Sequence, residues 1–292
     1  MALPDFLCVG AQKAGTSWLR EMLNSHPDIW MGLFKELHYF DSLYNPKIRR
    51  WGRDAVRVDV KTLIRHHVVN AVEAVEEDER EPMMAAGIDL DLLKRYIRLA
   101  ENDFIFTRDW YQELFNFPAG VGKLKGEITP EYGSIPAEGI QYLRELLGPV
   151  PIIYLIRDPV GRALSHLRMR ISRRENRIEF SDEEWTKMMS NRAIMVNTDY
   201  KANVSRWMQN YPNEKLLFLP YRDVGTRPHE LLAEVTAFVG APAHKYDRAL
   251  QQIYKGAAID IPPFVIERMQ ELLADQYSFL AATFGTDFCS RI

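Results

Sequence analysis

The 292-residue chain is poor in cysteine and has no long hydrophobic run. Cys8 and Cys289 are its only cysteines, which excludes a disulfide scaffold or a cysteine-based zinc finger and is typical of a reducing compartment. No stretch of apolar residues is long enough to predict a membrane span. The first residues carry Asp5 and no basic leader, so we expect no signal peptide. Together these features predict a cytoplasmic protein.

An excess of basic charge is also missing. The chain has 37 lysines and arginines against 40 aspartates and glutamates, a formal net charge of −3. This balance argues against a globally basic protein that binds nucleic-acid polymers, and leaves room only for a local basic groove. Hydrophobic residues make up 47% of the chain, which is enough for a folded core and excludes a disordered or fibrous protein.

Short apolar runs alternate with helical patterns along most of the chain. Strong strand signals lie at residues 6–9, 152–156 and 216–219, and a weaker one lies at 124–126. Strands that alternate with helices indicate a parallel sheet flanked by helices, hence an α/β fold. The length fits a single domain over residues 1–292. Helices are predicted near 16–23, 137–147, 159–172, 198–210, 229–239 and 263–283.

Residues 41–106 do not follow this alternation. Their pattern is helical and polar, and an acidic run at 76–79 is typical of a solvated helix end. We therefore expect a helical insertion over one end of the sheet, within the same domain.

The first strand leads into the loop Gly10-Ala-Gln-Lys-Ala-Gly-Thr-Ser17. A strand, a glycine-bearing loop and a helix in this order let backbone N–H groups and the positive helix end bind an anion. In the ATP and GTP pattern, G-x-x-x-x-G-K-[ST], a lysine follows the second glycine. That position is Thr16 here, and the lysine lies inside the loop at Lys13. The loop predicts a P-loop-like anion site that differs from those of ATP- and GTP-binding proteins; an ordinary strand–helix turn is the alternative.

The segment GAQKAGTSWL resembles the 5′-phosphosulfate loop of sulfotransferases that use 3′-phosphoadenosine 5′-phosphosulfate (PAPS). Arg157, at the end of a predicted strand, and Ser165, eight residues on, have the spacing of the family's 3′-phosphate site. A guanidinium and a hydroxyl suit a phosphate dianion, although Arg-Asp-Pro alone is also typical of a helix start. Residues 254–256 resemble the family's C-terminal donor loop. The donor-binding residues that the resemblance implies are Gln12, Lys13, Ala14, Gly15, Thr16, Ser17, Trp18, Arg157, Ser165, Lys255 and Gly256.

Two further segments resemble the glycosaminoglycan branch of the family, which includes heparan sulfate enzymes. KELHYFD at 35–41 resembles the segment that carries the catalytic glutamate, and GEITPEY at 126–132 resembles the segment K-T-P-x-Y. Ile128 replaces the lysine often found before that threonine. The resemblance implies a bacterial-like enzyme that uses PAPS as donor and forms 3′-phosphoadenosine 5′-phosphate (PAP). It implies no metal requirement, and the seven histidines are scattered.

Sulfuryl transfer needs an in-line nucleophile and stabilisation of the charge that develops on the leaving oxygen. Lys13 can supply an ammonium group to that oxygen. Glu36 is the leading candidate for the base that accepts the acceptor proton, and partial burial could raise its pKa. His38 is the second candidate, because the small-molecule branch of the family uses a histidine. Trp18 could stack on the donor adenine or pack its helix against the sheet, and the sequence does not separate the two.

The acceptor is left open. A hydroxyl or amine on a carbohydrate is the first hypothesis; a small-molecule, lipid or carrier-bound alcohol, a P-loop nucleotide kinase and a non-catalytic scaffold are the alternatives. Arginines at 162–177 suggest a groove for a polyanion, but a solvated helix face fits them slightly better. Arg49, Arg50 and Arg53 beside Trp51 could border a sugar site. We expect the insertion to form a lid or wall of the acceptor site, and the sequence does not predict an oligomeric state.

Overall fold

The computed structural model describes residues 2–73, 89–173, 180–251 and 259–292. Five strands in these residues form one parallel sheet in the order β2-β3-β1-β4-β5. This confirms the predicted α/β class and all four strand signals. The strands are β1 (Phe6–Gly10), β2 (Ile29–Trp30), β3 (Leu124–Ile128), β4 (Ile152–Ile156) and β5 (Leu216–Pro220).

Helices flank this sheet and account for most of the remaining described residues. They are α1 (Thr16–Asn24), α2 (Tyr39–Tyr44), α3 (Pro46–Glu73), α4 (Leu90–Leu99), α5 (Arg108–Glu113), α6 (Ala137–Leu147), α7 (Pro159–Ser172), α8 (Asp182–Met189), α9 (Arg192–Thr198), α10 (Tyr200–Asn210), α11 (Asp223–Thr226), α12 (Pro228–Phe238), α13 (Pro263–Leu272) and α14 (Ala274–Ser290).

The central strands of the sheet lie in the main hydrophobic core. Every residue of β1 and β4 is buried, as expected for parallel strands covered on both faces. Gly126 lies opposite Phe6 in the β1–β3 register, and a Cβ at Gly126 would come within 2.3 Å of the Phe6 ring. The close approach of the two strands therefore requires glycine at this position.

Two of the predicted helix boundaries are wrong. The expected helix at 263–283 is two helices, because the backbone at Leu273 leaves helical geometry (φ −109°, ψ 8°). At the break Leu272 is 43% exposed while Leu273 is buried. The expected helix at 198–210 begins only at Tyr200, because the Asp199 side chain accepts a hydrogen bond from Ala202 N (3.1 Å) and caps α10.

Helices α2, α3 and α4 occupy the described part of residues 41–106, so the helical pattern there is confirmed. Helix α3 packs against α4, and Val56, Val60 and Leu99 join the main hydrophobic core. The acidic run at 76–79 lies outside the described residues. No helix among the described residues is long and apolar enough to cross a membrane.

Candidate active site

An open cavity of about 2650 Å³ lies at the carboxyl ends of the central strands. The chain leaves β1 for one edge of the sheet and returns through β3, next to β1, to β4 on the other side of β1. Ligands of open parallel sheets bind where the strand order reverses in this way. The cavity is larger than the roughly 300–1,000 Å³ usual for one small ligand, so it has room for two substrates.

The glycine-bearing loop forms one wall of this cavity. Gly15 adopts φ 86° at the start of α1, and an added Cβ would lie 3.2 Å from the Tyr221 ring, so this position favours glycine. No side chain caps α1, and its first turn carries no acidic residue. The first N–H groups of α1 and its positive end are therefore available to an anion.

Lys13 lies inside the loop with φ 70°, in the left-handed region that a lysine rarely adopts. Its carbonyl oxygen accepts a hydrogen bond from Arg157 Nη1 (2.8 Å), which fixes the loop to the end of β4. Its ammonium has only a weak contact with Met169 Sδ (3.7 Å). Burial, and then the charge of Arg157, lowers the pKa of Lys13. An anion in the cavity would relieve both effects.

Arg157 follows β4 and stacks on the Tyr221 ring, 4.5 Å from its centroid. Asp158 accepts a hydrogen bond from Gly161 N (2.5 Å) and caps α7. The Arg-Asp-Pro stretch is therefore a helix start whose arginine nevertheless faces the cavity. Ser165 lines the same cavity from α7. The structure thus brings the predicted Arg157 and Ser165 to the wall that carries Lys13.

The remaining predicted donor-binding residues do not all line the cavity. Gln12, Thr16 and Ser17 line the cavity, and Ser17 Oγ accepts a hydrogen bond from Lys35 Nζ (2.6 Å). Trp18 also reaches the cavity. Its side chain is buried, however, and its indole N–H donates to Ala249 O (3.0 Å), so the ring packs within the protein. Ala14 is fully buried. Lys255 and Gly256 lie outside the described residues.

Glu36 and His38 form the opposite wall, on the segment before α2. They adopt φ 61° and 54°, and three of the four described non-glycine residues with positive φ are Lys13, Glu36 and His38. Left-handed residues cluster at binding and catalytic sites, where neighbouring structure holds them in place. Glu36 Oε1 pairs with Lys35 Nζ (2.8 Å), and both side chains are about one-third exposed.

The end of β3 holds this segment through a buried network that sequence reasoning missed. Leu37 N donates to Thr129 Oγ1 (3.0 Å), which in turn donates to Glu127 Oε1 (2.9 Å). Tyr111 OH donates to Glu127 Oε2 (2.5 Å). Burial raises the pKa of Glu127 to about 7. The spacing Glu-x-Thr on a strand, which puts both side chains on one face, was the available signal.

Asp41, which the sequence did not single out, orients His38. Its Oδ2 lies 2.8 Å from His38 Nδ1, and both side chains are buried. Burial alone would lower the pKa of His38, but the hydrogen bond and charge of Asp41, with Glu131 and Glu36, raise it to about 9. His38 Nε2 is buried without a hydrogen-bond partner among the described residues. The i, i+3 spacing of His38 and Asp41 at a helix start was the signal.

Glu131 joins the two walls. Its Oε1 accepts a hydrogen bond from Gln12 Nε2 (2.6 Å), although 119 positions separate the two residues. One ligand-type atom from each of Glu36, His38 and Glu131 lies within 4.8 Å of the others. Burial and the charge of Glu36 raise the pKa of Glu131 to about 7. The donor set is one that a metal ion or a proton could bind, and sequence reasoning did not single out Glu131.

A third wall of the cavity is basic. Arg168, Arg170 and Arg173 line it from the end of α7. Arg162, from the same arginine-rich stretch, is neither in a groove nor solvated: it is fully buried and donates to Thr198 Oγ1 (2.8 Å) and Ile194 O (2.8 Å).

The insertion contributes Trp51 to the cavity but none of the neighbouring arginines. Trp51 is 54% exposed, and its ring lies edge-on to His38 at 5.1 Å between centroids. Tyr44 and Lys47 line the same wall, whereas Arg49, Arg50 and Arg53 do not. The first turns of the insertion therefore lie beside the candidate base.

A family model, described as the sulfotransferase family, matches residues 4–245. The chain belongs to the sulfotransferase family. Membership of this family disfavours the nucleotide kinase alternative. The match includes residues 41–106. The segment that departs from the strand–helix alternation therefore lies within the part of the chain that the family model covers.

The chain is 21% identical over 246 residues to human heparan sulfate glucosamine 3-O-sulfotransferase 3B1. The match covers 82% of the chain and 46% of the human protein, so the chain spans about half the length of that relative. The fold is similar to that of a sulfotransferase from Alicyclobacillus acidocaldarius, with TM-score 0.61, 19% identity and coverage of 97% and 96% of the two chains. It is also similar to the sulfotransferase domain from the curacin biosynthetic pathway, with TM-score 0.51, 16% identity and coverage of 95% and 91%.

Proposed function

We propose that this sulfotransferase moves the sulfuryl group of PAPS to a hydroxyl group, on a carbohydrate, by in-line transfer. The observation that carries the proposal is the arrangement of two unlike walls around one cavity. Lys13, Arg157 and the free end of α1 form a cationic wall. Glu36, His38 and Glu131 form a wall that can accept and donate protons.

The cationic wall suits the donor. The free N–H groups at the start of α1 would bind the 5′-phosphate, as helix N-termini bind phosphates. Arg157 and Ser165, on the neighbouring strand end and helix, would bind the 3′-phosphate. The Lys13 ammonium, poorly solvated in this structure, would stabilise the charge that builds on the bridging oxygen as the S–O bond breaks.

Glu36 is the better candidate for the base. His38 has a pKa raised to about 9, so at neutral pH it carries a proton and cannot accept another. With Nδ1 bound to Asp41, its Nε2–H is left to donate to the acceptor oxygen. Glu36, about one-third exposed, can receive the hydroxyl proton from the same oxygen. The two residues would thus act together on one hydroxyl.

The carbohydrate acceptor is supported by Trp51. An exposed indole beside His38 offers a flat apolar surface to the C–H face of a sugar ring. The arginines at the end of α7 could pair with acidic groups on the same acceptor. The human relative acts, by its name, on heparan sulfate glucosamine. A small-molecule alcohol is the second candidate, since the curacin-pathway domain shares the fold.

A binding and transfer experiment tests the proposal. Calorimetry should show that PAP binds and that ATP with Mg²⁺ binds much more weakly. Labelled PAPS should then transfer label to glycans in a panel that also holds small alcohols and amines. Transfer to small alcohols alone would move the acceptor to the second candidate. A protein that does not bind PAP, or that transfers label to none of them, would contradict the proposed function.

A further inference from the structure

The helix α7 carries a buried histidine that the proposed reaction does not use. His166 is only 3% exposed, yet it lines the cavity. Its Nδ1 is buried and has no hydrogen-bond partner among the described residues. Buried polar atoms without partners are rare, and each one calls for an explanation. A ligand that meets this ring from the cavity is the explanation that its position favours.

The charges that act most strongly on the His166 ring are positive. Burial, followed by the charges of four basic side chains, lowers the pKa of His166 to about 3. Three of these side chains lie on α7 and one lies in the glycine-bearing loop; they are Arg162, Arg170, Arg173 and Lys13. The ring is therefore neutral near neutral pH, with one N–H donor and one bare nitrogen.

The same surroundings favour one of the two neutral tautomers. A proton on Nδ1 of His166 would be a buried donor without an acceptor, and it would point its positive end at positive charges. A bare Nδ1 presents its lone pair to those charges instead, so the proton is more stable on Nε2. Because His166 borders the cavity and its Nδ1 is sealed from solvent, Nε2 is the ring nitrogen left to meet a ligand.

A neutral N–H donor among basic side chains suits an oxyanion. The ammonium of Lys13 lies beside α7, since its Nζ is 3.7 Å from Met169 Sδ. Arg170 and Arg173 line the same cavity. Phosphate and sulfate oxygens accept hydrogen bonds and donate none, so His166 Nε2–H can bind one without adding a fifth positive charge to this cluster.

We propose that His166 is a further binding residue of the cavity, whose Nε2–H donates a hydrogen bond to a phosphate or sulfate oxygen held between Lys13 and α7. The donor is the expected source of that oxygen, and this part of the inference rests on the proposed function, which assigns Lys13 and the adjacent Ser165 to the donor. A sulfate group on the acceptor is the other source of the same chemistry.

Calorimetry with substituted proteins tests the hydrogen bond. His166→Leu fills the buried position but removes the N–H, so it should weaken PAP binding by at least about tenfold, as expected for one hydrogen bond to a charged group. His166→Gln places an amide N–H near the position of Nε2 and should restore most of that affinity. His229→Leu, at an exposed histidine of α12, is the matched control and should bind PAP like the wild type.

A heparin tetrasaccharide titrated into the same proteins distinguishes the two sources of the oxygen. Weaker binding of PAP in His166→Leu, recovered in His166→Gln, assigns the oxygen to the donor. The same pattern with the tetrasaccharide alone assigns it to the acceptor. If His166→Leu binds both probes like the wild type, or if His166→Gln is as weak as His166→Leu, the inference is wrong.

NMR of the wild-type protein gives a readout that does not depend on how the variants fold. The ring ¹⁵N signals of His166 should report a neutral ring with its proton on Nε2, and the Nε2–H signal should move when PAP or inorganic sulfate is added. A proton on Nδ1, or an Nε2–H signal that moves with neither ligand, would overturn the inference. A protein that responds to sulfate but does not bind PAP would refute the proposed donor and still support oxyanion binding by His166.

Discussion

The three candidate catalytic side chains lie on backbone with positive φ, which residues other than glycine rarely adopt. Lys13, Glu36 and His38 have positive φ. Arg157 donates to the carbonyl of Lys13, the N–H of Glu36 donates to Ile128 O (3.1 Å), and His38 Nδ1 pairs with Asp41. The strain aims the ammonium and the two proton-handling groups into one cavity. At the scale of residues, the separate roles proposed for these side chains can be tested by substituting them one at a time.

Arg157 should recognise the 3′-phosphate of the donor. A charge-assisted contact of this kind contributes about 1.5–3 kcal/mol, so Arg157→Ala should weaken PAP binding by at least about tenfold in calorimetry. Adenosine 5′-phosphosulfate, which lacks that phosphate, is the matched ligand control and should lose little affinity. Equal losses for both ligands would show that Arg157 acts only by holding the Lys13 carbonyl.

Lys13 and Glu36 should separate in their kinetic effects. Lys13→Ala removes a contact with donor and leaving group, so it should lower both PAP affinity and turnover. Glu36→Gln keeps the shape but cannot accept a proton, so PAP should bind almost normally while turnover falls by roughly 10²–10⁴ in single-turnover assays.

His38→Ala provides the comparison for that pair. If Glu36→Gln turns over near the wild-type rate and His38→Ala is inactive, the base is His38, and the acceptor is then more consistent with the small-molecule branch of the family. If both are impaired, with the acidic limb of the pH–rate profile lost only in Glu36→Gln, the base is Glu36.

At the scale of elements, the end of α2 and the first turns of α3 form one part of the cavity wall. The sequence predicted that residues 41–106 cover the acceptor site, and Tyr44, Lys47 and Trp51 line the cavity. The buried contacts of Val56 and Val60 fix these turns to the core. These turns of the cavity wall are therefore anchored in the hydrophobic core.

Trp51→Ala should raise the acceptor KM by about tenfold without changing PAP affinity, because it removes an aromatic surface that would contact the acceptor. A tenfold change corresponds to about 1.4 kcal/mol of binding free energy. Val58→Ala, at a position 61% exposed on the same helix, is the matched control and should leave both constants unchanged. A Trp51→Ala enzyme with lower kcat and an unchanged acceptor KM would instead show that the ring acts through His38.

At the scale of the whole molecule, the carboxyl group of Glu127 is buried in the core, near the end of β3. The pKa of Glu127 is raised by burial from 4.5 to about 7. Folding therefore favours the protonated form, and this contribution to stability is present below pH 4.5 and is lost as the pH rises through 7. Thr129 links Glu127 to the segment that carries Glu36 and His38, because Thr129 Oγ1 donates to Glu127 and accepts from Leu37 N. Glu127 therefore affects both the stability of the fold and the geometry of the candidate site.

Glu127→Gln should therefore change the pH dependence of unfolding. Relative to the variant, the wild type should lose about 3 kcal/mol of unfolding free energy between pH 4.5 and 8, measured by urea denaturation at a series of pH values. Other titrating groups cancel in the difference. Glu145→Gln, exposed on α6, should show no such trend. A pH-independent difference for Glu127→Gln would mean that this carboxyl titrates normally in the folded protein.

The sequence by itself determined four of the five described strands, the glycine-bearing loop and the family, because each of these depends on contiguous residues. It did not predict β2, which is only two residues long. An apolar run, a glycine loop and a helix start fix their own local structure, and the positions of Lys13, Arg157 and Ser165 follow from parallel strands that end at one edge. The sequence could also place Glu36 and His38 together, since they are two residues apart.

Only the tertiary structure decided which groups tune those residues. Gln12 meets Glu131 across 119 positions, Arg162 reaches Thr198 and Ile194 from another helix, and the exposed Trp51 turns towards His38. Burial and charge depend on every element packed around a group, so no local pattern predicts that the pKa values of His38, Glu127 and Glu131 are raised. The sequence identified the candidate groups, and the packing of distant elements determines their surroundings and so their pKa values.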